Sequence, residues 1–189
     1  MQLDNKFKLI LEYLETPDSE HHAGDKQICY LAFEPEHTLN VKRSIPNLLT
    51  LAKGYDFNCG ILSMAQVINE FFRNNPRRNS WSVPDISSNF DEVIDFYKSD
   101  LGSMIVENKV IEKSILNEQE KIKSFSKPLL IITDLEAIHP FTRFGPIEQK
   151  IYTEIEIPII ILYPGSLSGS SLEFLGFYPP DGNYRSKHF

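Results

Sequence analysis

Asp134 and Glu136 stand directly behind the apolar run Leu129-Leu-Ile-Ile-Thr133. Two carboxylates at the end of an apolar strand are a donor set for a magnesium ion, the form a Walker-B strand end takes. Such a centre works beside a phosphate cradle, a GxxxxGK[ST] loop whose backbone N–H groups and lysine neutralise the phosphates. No stretch of the chain carries that motif. Behind the first apolar run stands Glu34-Pro35-Glu36-His37-Thr38, where two carboxylates would repel a phosphate rather than hold it. A third candidate is Gly165-Ser-Leu-Ser-Gly169-Ser-Ser171, behind the run that ends at Tyr163. It has no lysine and leads into another strand-like run rather than a helix N-terminus. A G-x-S-x-G nucleophile elbow would need Ser at position 167, which is Leu. The sequence predicts an exposed turn or partner-facing loop over 165–171.

The other reactive side chains are isolated. His139 precedes Pro140 without a nameable partner for base chemistry and reads as a surface histidine. Cys29 and Cys59 each lie in an apolar stretch and are expected as buried, reduced thiols, with no CxxC pair or histidine cluster beside them. Neither a metal nor a cofactor is therefore expected. The net charge is −7 and the pI near 5.2, which repels nucleic acid unless a basic patch is segregated. The one dense basic stretch, Arg73 to Arg78, reads as a solvated helix end, so direct nucleic-acid binding is not expected. One enzymatic alternative stands: a metal-dependent or nucleotide-binding protein using Asp134, Glu136 and the 165–171 loop.

The elements that must position these residues follow from periodicity. Phe7, Ile10, Leu11 and Leu14 repeat with helical spacing, which predicts a helix over 4–15. A buried strand is predicted over 27–33, then a helix from about Pro46 to Gly54, a strand over 55–64 and a helix from Met64 to Asn75. Residues 74–89 read as a loop and 90–125 as mainly helical. Two doubly apolar strands follow, 128–133 and 158–163, separated by a helix over 146–155 that starts on Pro146. A last strand is predicted over 171–178. Continuous apolar strands that alternate with helices predict a three-layer α/β fold, a largely parallel central sheet of about five strands with helices on both faces. At 189 residues the chain suits one domain. Its longest apolar run falls far short of the roughly 20 residues of a membrane span. The N-terminus lacks an apolar signal-peptide centre, so a cytoplasmic protein is expected.

Three segments in this order carry a family resemblance: PLLIITDLEAIHPFTRF, IPIIILYPGSLSGSSLEFLGF and DGNYRSKHF. Together they resemble the C-terminal half of BrxB, a component of the bacteriophage exclusion (BREX) systems. The matching positions are Thr133, Pro140, Arg143, Tyr163, Pro164, Gly165, Ser171, Leu172, Gly176, Asn183, Tyr184 and Arg185. The earlier ICYLAFEPE is similar to the family's early strand with its acidic-Pro end. The family's Thr-Gly turn is Thr133-Asp134 here, and its closing Tyr-Arg element is shortened.

The resemblance implies a single BrxB-like domain over 1–189 and a non-catalytic accessory or scaffold protein. It would bind a PglZ-type phosphatase-fold partner in an anti-phage assembly that also holds a large ATPase and a DNA methyltransferase. The conjectured core is RecA-like or AAA-like with its P-loop lost. On this reading Arg143, Tyr163, Pro164, Gly165, Tyr184 and Arg185 contact the partner, since Arg and Tyr are enriched at interface hot spots. Arg143 and Arg185 have a competing role, pairing within the fold with Asp134 or Glu136.

Overall fold

Strands that are apolar on both faces need a layer of helices on each side. The computed structural model has that arrangement; it describes residues 3–16, 27–81, 90–139, 141–168, 171–176 and 186–189. Strands β1 (Ile28–Phe33), β2 (Asn58–Ser63), β3 (Pro128–Thr133), β4 (Ile159–Ser168) and β6 (Lys187–His188) lie in the order β2-β3-β4-β1-β6. Each adjoining pair on that path is parallel. Strand β5 (Ser171–Phe174) is antiparallel to the far end of β4.

Burial alternates along each strand as the pleat requires. Cys29, Leu31, Leu129, Ile131, Ile160 and Leu162 face one layer, where they meet α1 (Leu3–Glu15) and α2 (Thr38–Gly54). Tyr30, Ala32, Leu130, Ile132, Ile161 and Tyr163 face the other. That second layer holds α3 (Met64–Asn74), α5 (Phe90–Glu107), α6 (Val110–Ile122) and α7 (Phe144–Ile151); a short α4 (Arg78–Trp81) lies between α3 and α5. The split has a topological cause. Crossovers are right-handed, so the run from β1 outward to β2 places α2 on one face. The return through β3 to β4 places its helices on the other.

Several boundaries differ from the sequence expectation. Helix α2 begins at Thr38, and Pro46 lies inside it rather than at its start. Val41 and Leu48 are buried on the same stripe as Ala52, and that burial outweighs the backbone bond that Pro46 cannot make. Helix α7 begins at Phe144, which keeps Pro146 within the first turn, and ends at Ile151 in a 3-10 turn over Tyr152–Glu154. The mixed 90–125 segment is two helices, broken where Lys109 adopts a left-handed φ of 51°. In α6 the buried stripe is Ile111, Ile115, Gln119 and Ile122. Gln119 is buried yet satisfied: its amide donates to Glu154 O (3.0 Å) and accepts from Glu156 N–H (2.8 Å).

Residues 165–168 and 171 are strand rather than loop. Strand β4 continues through Ser168 and returns as β5, with Gly165 paired to Phe174 and Ser166 to Glu173. Gly165 permits this because a Cβ there would lie 2.2 Å from Glu173 O and 2.7 Å from the Tyr163 ring. Strand β5 stops at Phe174, where Leu175 and Gly176 take left-handed φ values of 56° and 73°. The sequence expectation missed β6. Its two residues pair with Cys29 and Tyr30, and the buried Glu148 accepts hydrogen bonds from Tyr30 OH and Ser186 Oγ.

Candidate functional site at the C-terminal edge of the sheet

In open α/β sheets the crevice for a ligand forms beyond the strand C-termini, where neighbouring connections leave for opposite faces. Here that point lies between β1, whose helix α2 covers one face, and the β3–β4 pair, whose α7 covers the other. A cavity of about 570 Å³ opens there, lined by Lys6, Phe33, Glu34, His37, Asn40 and Ser166 among others. Its lysine is engaged: Lys6 Nζ donates to Ala32 O at 2.7 Å and to Phe189 O at 3.4 Å. Glu34 at its rim is exposed.

Beside the cavity, at the ends of β2 and β3, lies a compact polar cluster. Asp134 is left-handed, with φ 56° and ψ 38°, and begins a 3-10 turn over Leu135–Ile138. Its Oδ2 accepts from Ser63 Oγ (2.6 Å) and Thr133 Oγ1 (2.9 Å). Its Oδ1 lies 2.7 Å from Lys42 Nζ, which also lies 2.6 Å from Glu136 Oε1. Burial alone would raise the Asp134 carboxyl. The hydrogen bonds from Lys42, Ser63 and Thr133 outweigh it and hold the group below its ordinary value. Lys42 is held above its own, since the two carboxylates outweigh its burial.

Lys42 on α2 thus pairs with both Asp134 and Glu136, a partner that the sequence expectation, which named Arg143 and Arg185 for this role, left out; Arg185 lies outside the described residues. Ser63, which also caps α3 through the Gln66 N–H, was likewise missed. Its place between an apolar run and MAQVINEFF was the available signal, whereas nothing in the spacing from Lys42 to Asp134 could bring those two together. Among the described residues, no group of three His, Cys, Asp or Glu side chains is arranged to hold a metal ion.

Of the six residues expected at a partner surface, Arg143 is exposed at the N-cap of α7. Phe144 behind it is buried against Tyr30, which fixes where the arginine leaves the surface. Tyr163 is 1% exposed, packed edge-on against Tyr30 at 5.5 Å and tilted on Phe174 at 5.3 Å. Pro164 and Gly165 are buried as well. The side chains of Tyr163 and Pro164 support the sheet edge from within, while Gly165 lines the cavity beside Ser166. Tyr184, Arg185 and Pro140 lie outside the described residues.

His139 is half-buried and close to Phe174. Burial, followed by the charges of Lys98 and Arg143, lowers its pKa. Lys98, on α5, is therefore a further cation on this face that the sequence expectation missed. Cys29 and Cys59 are free thiols, pushed up by burial to about 12 and about 11, values that keep both protonated and poorly nucleophilic. Among the described residues no helix is long and apolar enough to cross a membrane.

No curated protein and no solved structure matches the chain. A family model does: BREX protein BrxB, over residues 85–189. The match spans more than half of the chain and takes in β3, β4, the β4–β5 hairpin, Arg143, Asp134 and Glu136. The chain belongs to the BrxB family of BREX proteins.

Proposed function

We propose that this protein is a non-catalytic scaffold of a BREX anti-phage assembly, and that it binds a PglZ-type phosphatase-fold partner through the cationic surface around Arg143. The observation that carries this reading is the Lys42 ammonium, seated between the Asp134 and Glu136 carboxylates. It occupies the position a divalent cation would take, and two hydroxyl donors complete the Asp134 shell. The neighbouring cavity presents Glu34, with Glu36 close behind in sequence, which disfavours a polyphosphate. A RecA-like or AAA-like core that had lost its P-loop would leave this arrangement. The binding surface is expected to comprise Arg143, Lys98 and His139, with Tyr184 and Arg185 as further candidates. Arg143 supplies its positive charge, since Lys98 is paired with Asp95 at 3.5 Å and His139 is held toward its neutral form. That charge on an acidic chain suits an acidic patch on the partner.

The test is a binding measurement between this protein and the PglZ-type protein encoded beside it. Arg143→Glu is expected to weaken the complex at least tenfold, about 1.4 kcal/mol, and the native affinity is expected to fall with added salt. Binding that is indifferent to Arg143→Glu sinks the proposed surface. Magnesium-dependent turnover of ATP by the purified protein, abolished by Asp134→Asn, would overturn the scaffold reading in favour of the enzymatic one.

A further inference from the structure

The turn that carries His139 and Arg143 is held at both ends and in its middle. Ile138 and Phe144 are buried at the ends. Between them the N–H groups of Phe141 and Thr142 both donate to Ile138 O, at 2.9 and 3.1 Å. The Phe141 ring packs edge-on against Phe72 of α3 at 5.7 Å. Its backbone rests on α5, at the buried Gly102. A Cβ at 102 would lie 3.0 Å from Phe141 O and 3.5 Å from Phe141 Cα. Any larger residue therefore needs the turn to move outward by a few tenths of an ångström or more.

Gly102 lies inside α5, with the buried Leu101 and Ile105 close to it on the same helix. A glycine in a helix interior weakens the helix relative to alanine. Alanine would serve α5 better; what it would not serve is the seat of Phe141. Lys98 stands one turn before Gly102 on the same flank of the helix, and its charge acts on His139. The height at which Phe141 sits on Gly102 thus sets both the spacing of His139 from Lys98 and the place where Arg143, two residues on, leaves the fold.

We infer, on the reading that Arg143 binds the partner, that Gly102 is a positioning residue for that surface. It offers the partner no side chain. It seats the turn on α5, so that the Arg143 guanidinium meets a carboxylate of the partner in its pairing geometry, which for arginine is a planar fork rather than a point charge. A glycine that only spared the helix a clash would show its loss in stability alone.

Two readouts separate position from stability. The first needs no partner: NMR titration of the His139 ring. Burial, Lys98 and Arg143 hold it below its ordinary value, which is about 6.5. Gly102→Ala lifts the turn from α5, so the titration should rise toward that value, and Gly102→Val should take it further. The second is affinity for the PglZ-type partner, expected to fall about threefold with Gly102→Ala and more with Gly102→Val, part of what losing a hot-spot arginine costs. Gln119→Ala, which destabilises the fold at Glu154 and Glu156 instead, should leave both readouts native. Where the glycine variants fail to fold, Phe72→Leu loosens the same seat from the ring side and should move both readouts in the same direction. Partner binding that responds to Arg143→Glu but is native in the folded Gly102 variants, or in Phe72→Leu, overturns the inference. So does an unmoved His139 titration, or an affinity that falls equally with Gln119→Ala. A native chain that forms no complex overturns the surface reading itself, and a shifted titration then marks Gly102 as seating the turn alone.

Discussion

Lys42 Nζ lies 2.7 Å from Asp134 Oδ1, and this contact ties the helix behind the first strand to the end of the third. The two residues come from segments 92 positions apart in a chain of 189. They meet because β4 sits between β1 and β3 and brings both strand ends to one edge.

The tie has a measurable cost when broken. Asp134→Ala removes an acceptor from Lys42, Ser63 and Thr133 and places an alanine at φ 56°. It is expected to lower stability by about 1–3 kcal/mol, with the left-handed backbone adding to that. Asp134→Asn tolerates the left-handed region and keeps a carbonyl acceptor, so it should cost clearly less. Lys42→Met should cost least, because the lysine is 38% exposed and screened by solvent. Urea titration of the three variants checks the order.

Two glycines should respond differently to the same change. At Gly165 an added Cβ meets the backbone oxygen of Glu173 at 2.2 Å, while at Gly60 it meets the Ile122 side chain at 2.9 Å. A side chain can shift; a paired strand cannot without losing register. Gly165→Ala is expected to cost about 3 kcal/mol, at the upper end of overpacking penalties, and Gly60→Ala about 1. Thermal melts of both variants test this.

Much of the sheet was legible because its central strands carry their burial in composition. Leu129 to Ile132 and Ile159 to Tyr163 are apolar on both faces and can only be doubly covered parallel strands. The hairpin was illegible for a local reason. Gly165-Ser-Leu-Ser has loop composition, and only the close approach of Glu173, a tertiary contact, makes it strand. Strand β6 has two residues and no periodicity to read. At the site, Asp134 and Glu136 were visible as a pair, but Lys42 was hidden in a helix whose predicted start at Pro46 fell beyond it. Tyr163 and Pro164 were read as surface because Tyr-Pro-Gly has the composition of a turn; the β4–β5 hairpin carries the chain on, and both are buried.

Gln119 makes a sharper packing test. It is 2% exposed and holds both Glu154 O and the Glu156 N–H, so Gln119→Ala leaves a donor and an acceptor unmet at the entry to β4. A loss of about 2–3 kcal/mol is expected in chemical denaturation. Gln119→Leu should not recover it, since volume is not what the site lacks.

Acid sensitivity should appear in two stages. Burial lowers His188 and contributes to lowering His139, so the unfolded chain takes up protons first and stability falls as pH drops below about 6.5. Asp134, also lowered, contributes stability above the usual carboxylate value of about 3.9 that is lost as pH falls through its folded value. His188→Gln should flatten the first stage without touching the second. Melting temperatures from pH 8 to 3 at fixed ionic strength measure both.

The scaffold reading separates two residues that lie at the same edge of the sheet. Efficiency of plating of a BREX-restricted phage, on cells whose system carries either Asp134→Asn or Arg143→Glu at native protein levels, tests it most directly. The expected result is protection retained with Asp134→Asn and lost with Arg143→Glu. Protection lost with a folded Asp134→Asn protein and retained with Arg143→Glu would contradict it.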